Sequence, residues 1–177
     1  VLGVIRPTVE VVGQLSQNRH IGVLATEGTE RSESYDLEIR KLYPDATVTG
    51  LACPMWVSLV ENGEYNRPGA DFFVRDSIDR LLALDPDIDT IVLGCTHFPL
   101  LIHKIKKYVP SHIRIVPQGK FVGTSLADYL RRHPEMDARL TRGASCQFFT
   151  TESPTRFREQ ASLFLDQDHI DVQRIQL

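Results

Sequence analysis

Thr90-Ile91-Val92-Leu93-Gly94-Cys95-Thr96-His97-Phe98-Pro99-Leu100-Leu101 reads as a buried strand, a tight turn and the start of a helix. The run TIVLG is near-continuously apolar, the pattern of a strand covered on both faces in a parallel sheet. Gly94 allows the chain to turn sharply where the strand ends. Pro99 suits the first turn of a helix running to about Val109. A thiol held between a strand end and a helix start feels the positive end of the helix dipole, which favours thiolate. His97, two residues on, can exchange a proton with Cys95 or hold it by a hydrogen bond. Taken alone, Cys95 reads equally well as a small buried apolar residue.

Outward from this segment, short apolar runs alternate with helical patterns, which predicts an α/β fold with a largely parallel sheet flanked by helices. Strands are expected at Val1 to Ile5, His20 to Ala25, Ala46 to Ala52, Thr90 to Gly94, Ile113 to Val116 and Cys146 to Thr150. Val74, Ile78, Leu81 and Leu82 repeat at helical spacing, as do Phe157, Ala161 and Phe164. Ser153-Pro154 reads as a helix cap and first helical residue. The polar stretch from Pro134 to Ser145 is the expected loop or linker. Ligands of open α/β sheets bind outside the carboxyl ends of the strands. That edge is expected to gather Thr26 to Thr29, Cys53 and the Cys95-Thr96-His97 triplet.

Composition narrows the function classes. With 177 residues, 42% hydrophobic and 24% charged, the chain suits a globular protein with a real core. A net charge of −3 gives no basic footprint for nucleic acid. No apolar run approaches the roughly 18 to 20 residues a membrane span needs, and no charged-then-apolar leader opens the chain. Val1 lies inside the apolar stretch VLGVI with no initiator methionine, which reads as a start within a fold. Three cysteines without short regular spacing do not make a disulfide framework and suit a reducing cytosol. Cys146, in a strand reading CQFF, is expected in the core. Zinc held by Cys53, Cys95, His97 and His103 would lack any close ligand spacing, and no metal site is expected.

GCTHFPLL resembles the second catalytic-cysteine motif of glutamate racemases, a Cys-Thr-His triplet after an apolar strand. VLGVIRP, IGVLATEGTERSESY, ACPMWVSLVENG and CQFFTTESPTRFREQASLFL resemble further segments of that family in the same order. The resemblance covers nearly the whole chain. It implies one complete racemase lobe over residues 8–118, with residues 119–177 and 1–7 belonging to a second, mostly absent lobe. It also implies a cytoplasmic, cofactor-independent isomerase that interconverts L- and D-glutamate and supplies D-glutamate for peptidoglycan. The small-molecule substrate would be its main partner, and a homodimer is admitted. Carried over residue by residue, Cys95 is the acid and base taking the proton from L-glutamate, with His97 beside it. Thr96 and Thr26 match substrate-holding positions, although Ala25 stands where the family has glycine. Glu61 matches an acidic residue near the site, and by itself reads equally as a solvated glutamate at a helix end.

Two departures stand out. The family's Asp-Ser-Gly turn and its Cys-Asn-Thr motif, which carries the other catalytic cysteine, do not occur in this sequence. Where many members repeat an Asp-Ser-Gly-like turn, this chain has Val116-Pro117-Gln118-Gly119. The isolated chain is therefore expected to be inactive. Cys53 also follows a strand and on the sequence alone could be the second thiol, although the family's Ala-Cys-Pro cysteine is not its catalytic partner. Two other readings remain open: a non-catalytic α/β binding or assembly module, and a Cys–His acyl transferase or hydrolase, which needs an acyl-binding oxyanion hole and a third residue to orient the histidine.

Overall fold

The computed structural model describes residues 3–143, 146–165, 167–168 and 170–176. By its internal contacts the chain forms two compact units, Val1–Tyr129 and Leu130–Leu177.

The first unit is built on four parallel strands, β1 (His20–Ala25), β2 (Thr47–Ala52), β3 (Thr90–Leu93) and β4 (Arg114–Pro117), in the order β2-β1-β3-β4. Leu24 lies opposite both Leu51 of β2 and Leu93 of β3. Alternate strand residues supply two cores. Leu24, Ile91 and Leu93 face one cluster with Trp56, Val74, Ile78, Leu81 and Ile105. Ile21, Val23 and Val92 face the other with Val9, Val12, Tyr35 and Ile39. This two-sided burial is why Ile91, Val92 and Leu93 run on without polar alternation.

The connections follow the single crossover hand of parallel strands. β1 steps to β2 through α2 (Glu27–Arg31) and α3 (Ser34–Leu42) on the Tyr35 face. β2 then returns past β1 to β3 through α4 (Pro54–Glu61) and α5 (Pro68–Leu84) on the Trp56 face. Steps in opposite directions with one crossover hand place their helices on opposite faces. The chain continues from β3 to β4 through a 3-10 turn (Phe98–Leu101) and α6 (Ile102–Tyr108). The direction of winding reverses between β1 and β3, the place where open α/β sheets form their binding crevice. α5 fits tightly over the sheet at Gly22, where a Cβ would lie 2.9 Å from Leu81 Cδ2.

The expected first strand is corrected. Ile5 begins a helix, α1 (Ile5–Leu15), not the end of a strand, while Val1 and Leu2 lie outside the described residues. The reason is periodicity: Ile5, Val9 and Val12 recur at helical spacing, and Val9 and Val12 are fully buried. Pro7 is tolerated because it falls in the first turn, where its missing N–H has no partner to lose.

In the second unit, parallel strands β5 (Phe148–Thr150) and β6 (Val172–Arg174) are joined through α9 (Pro154–Leu165). Arg156 N–H donates to Ser153 Oγ at 3.4 Å, so Ser153-Pro154 caps and opens that helix as expected. Cys146 is corrected as well: it precedes the strand and is exposed. The expected loop from Pro134 to Ser145 contains one helical turn, α8 (Pro134–Asp137); Ala144 and Ser145 lie outside the described residues. Between β4 and α8 runs α7 (Gln118–Arg132).

Candidate active site

Cys95 owes its position to the end of β3. Gly94 N–H donates to Leu24 C=O at 2.8 Å, extending the β1–β3 ladder one residue past the strand. A Cβ on Gly94 would lie 3.1 Å from the Tyr35 ring, 3.2 Å from Leu24 O and 3.3 Å from Ala25 Cβ, so glycine alone fits without displacement. Cys95 emerges half-buried, and its carbonyl accepts from Phe98 N–H at 3.3 Å, starting the 3-10 turn.

A hydrogen-bonded chain runs from this thiol across to α4. Cys95 Sγ lies 3.8 Å and Thr96 Oγ1 3.5 Å from His97 Nδ1. His97 Nε2 lies 2.5 Å from Glu61 Oε1 at the end of α4. A carboxylate accepts only, so it keeps the proton on Nε2. Nδ1 then accepts from the thiol or hydroxyl when His97 is neutral, and donates toward sulfur when it is protonated. Glu61, ambiguous in sequence, is brought onto His97 by a contact between residues 36 positions apart.

Thr26 stands on the same edge. Continuing the register of β1 against β2 and β3 places it between Cys53 and Cys95. It caps α2: its Oγ1 accepts from Thr29 N–H at 3.4 Å and lies 3.0 Å from Thr29 Oγ1.

Cys53 follows β2 but has a different environment. It is 1% exposed, and burial pushes its thiol up to about 12, the hydrogen bond from Ser77 only partly opposing this. Its Sγ lies 3.8 Å from Leu51 O. It is a neutral core thiol.

Among the described residues, metal-type ligands converge at His20, Asp85 and Asp87. They lie at the amino end of β1, away from the strand ends that carry Cys95. There His20 Nδ1 and Asp85 Oδ2 are 2.9 Å apart.

Sequence reasoning missed two residues of the site. Tyr35, 4% exposed, lays its ring against Gly94, and burial pushes its hydroxyl up, the charge of the Cys95 thiol adding to the effect. Its helical pairing with Ile39 was the available signal. Gln118 donates from Nε2 to Leu93 C=O at 2.9 Å. Its position directly after a strand was the signal there. Cys95, Thr96, Pro99, Gln118 and Val122 line a cavity of about 220 Å³.

The model of the Asp/Glu/Hydantoin racemase family matches residues 1–118. A glutamate racemase of Levilactobacillus brevis is 35% identical over 177 residues, covering 100% of this chain and 63% of that protein. The crystal structure of a glutamate racemase isoform from Bacillus anthracis superposes with a TM-score of 0.87 at 30% identity, covering 100% of this chain and 65% of that one. The Francisella tularensis glutamate racemase, solved in complex with D-glutamate, gives 0.83 at 25% identity, covering 98% and 62%. The chain thus spans a little under two thirds of the length of these relatives.

Proposed function

This chain belongs to the Asp/Glu/hydantoin racemase family, and from that membership and the site's geometry we propose that its protein interconverts L- and D-glutamate without a cofactor, using Cys95 as one of two thiols. The observation that carries the reading is the run Cys95–His97–Glu61 at the crevice where the sheet reverses its winding.

Racemisation removes the α-hydrogen as a proton. The electrons of the Cα–H bond stay on carbon and spread into the α-carboxylate, the proton passes to one sulfur, and the opposite thiol gives its own proton to the other face. Cys95 is the accepting thiolate in the L-to-D direction. An ordinary free thiol is only a few per cent ionised near neutrality. His97 Nδ1 faces Sγ within hydrogen-bonding reach and can exchange a proton with it, and Glu61 holds the imidazole in place. Charge developing on the carboxylate needs hydrogen-bond donors, which Thr26 and Thr96 supply with nearby backbone N–H groups.

Cys53 is unsuited to be the second thiol, since it is buried and its thiol is held near 12. The second base belongs to a segment outside these 177 residues. On this reading residues 8–118 form one racemase lobe, residues 119–177 with 1–7 belong to the other, and the isolated chain is inactive. The protein is cytoplasmic and supplies D-glutamate to the cell wall. No described helix is long and apolar enough to cross a membrane.

Glu61 also supplies the third residue an acyl transferase would need, so one experiment separates the two readings. Full-length protein is incubated with L-glutamate, L-aspartate and an activated ester, and optical rotation and ester cleavage are followed. Rotation of glutamate decaying to zero supports the racemase. Ester cleavage without loss of rotation, or a preference for aspartate, overturns it.

A further inference from the structure

Gln118 opens α7 directly after β4, and its Nε2 donates to the carbonyl oxygen of Leu93 at 2.9 Å. Leu93 lies opposite Pro117 in the parallel β3–β4 register, so the backbone nitrogen that faces its carbonyl is that of the next residue, Gln118 itself. Its side-chain amide adds a tie from the same residue to that carbonyl, at the last rung of the ladder. Its orientation follows from chemistry: a carbonyl only accepts, so the NH2 must face it and Oε1 must turn away. Gln118 Oε1 is in fact buried and without a hydrogen-bond partner among the described residues. For stability alone the amide is a poor choice, because an unsatisfied buried oxygen is destabilising and an apolar side chain of equal length would leave none.

What the amide supplies is control of one peptide plane. The C=O of Leu93 and the N–H of Gly94 belong to the same planar trans unit and point in opposite directions. Leu24 O takes the N–H at 2.8 Å from the β1 side, and Gln118 takes the C=O at 2.9 Å from the β4 side. That plane is tied at both ends, and the chain leaves it into Cys95. Gln118 also lines the cavity that Cys95 and Thr96 line.

We propose that Gln118 is a positioning residue for Cys95. By holding the Leu93–Gly94 peptide from the β4 side, it fixes the direction in which the thiol leaves the strand, and with it the 3.8 Å approach of Sγ to His97 Nδ1. The proposal rests on Cys95 being the reacting thiol of the racemase reading.

The test uses full-length protein carrying Gln118→Met, which has nearly the same length and no amide, and Gln118→Glu, which keeps the shape and polarity but at neutral pH donates nothing. Each is treated with limiting iodoacetamide and peptide-mapped. Exposed Cys146 is the reference for reagent access, and buried Cys53 is the reporter of loosened packing. In both variants, labelling of Cys95 relative to Cys146 falls about five- to ten-fold, the size of one lost hydrogen bond, while Cys53 stays protected. Glutamate kcat falls by a similar factor with KM nearly unchanged. Cys95 labelling that is unchanged or faster overturns the proposal, as does a loss accompanied by labelling of Cys53, which would make the amide a packing element. A protein that racemises no glutamate sinks the functional reading through the kinetic arm alone, and the labelling arm still decides the role of Gln118.

Discussion

Glu61 Oε1 lies 2.5 Å from His97 Nε2, joining the end of α4 to the loop after β3. Neither residue is fully buried, with side-chain exposures of 35% and 23%. The contact is open enough to exchange protons with solvent and close enough to fix the imidazole.

Glu61→Gln keeps an oxygen acceptor in place and removes the charge. It should lower glutamate kcat about 10- to 100-fold, a part of what a positioned acid–base partner contributes, and leave the thermal midpoint almost unchanged. Steady-state kinetics and a melting curve on the same preparations check it. A kcat within two-fold of wild type would place Glu61 among the solvated surface carboxylates.

Gly94→Ala places a methyl group against the Tyr35 ring and the Leu24 carbonyl, and the carbonyl belongs to a central strand that cannot give way. The expected loss is about 1–3 kcal/mol of stability, typical of overpacking, with activity lost alongside. Gly123→Ala is the control, because nothing lies within 4 Å of the added Cβ. It should be neutral or stabilising by up to about 1 kcal/mol in its helix. Denaturant titration distinguishes the two.

The hydrogen bond from Asp85 raises His20 above the ordinary histidine value, with Asp87 and Asp89 adding attraction and desolvation opposing. The folded value lies above the unfolded one, so this contribution is complete below the unfolded value of about 6.5 and is lost as pH rises through the folded value. Wild type minus His20→Gln stability should therefore be largest near about pH 5.5 and shrink by about pH 9. Urea midpoints at both values test the sign; a difference that grows with pH would contradict it.

Much of this architecture is legible in the sequence. β1 and β3 announce themselves because two-sided burial leaves them apolar after their first residues, His20 and Thr90, and Gly94-Cys95 is legible because a strand-to-helix turn there needs glycine. The failures have physical causes. Around Ile5, a short apolar run looks like a strand until Val9 and Val12 are counted with it at helical spacing. Cys146 reads as a core residue because CQFF looks like a strand from its first residue, yet it precedes β5 and is exposed. The Glu61–His97 contact and the tie from Gln118 to Leu93 span 36 and 25 residues, and no local pattern encodes such pairs. The topological rule marks the edge where they meet without naming which polar side chains turn toward it.

The central claim is that Cys95 moves the α-proton of glutamate. Full-length protein and its Cys95→Ser variant are incubated in deuterium oxide with L-glutamate and, separately, with D-glutamate, and the Cα–H signal is followed by NMR. Wild type should exchange the α-hydrogen of both enantiomers as each converts to the other. The serine variant, whose hydroxyl is a far weaker acid than a thiol, should be slower by about 10²- to 10⁴-fold, the weight of a positioned acid–base group. Exchange and interconversion within a few-fold of wild type would contradict the account and move the chemistry to another residue.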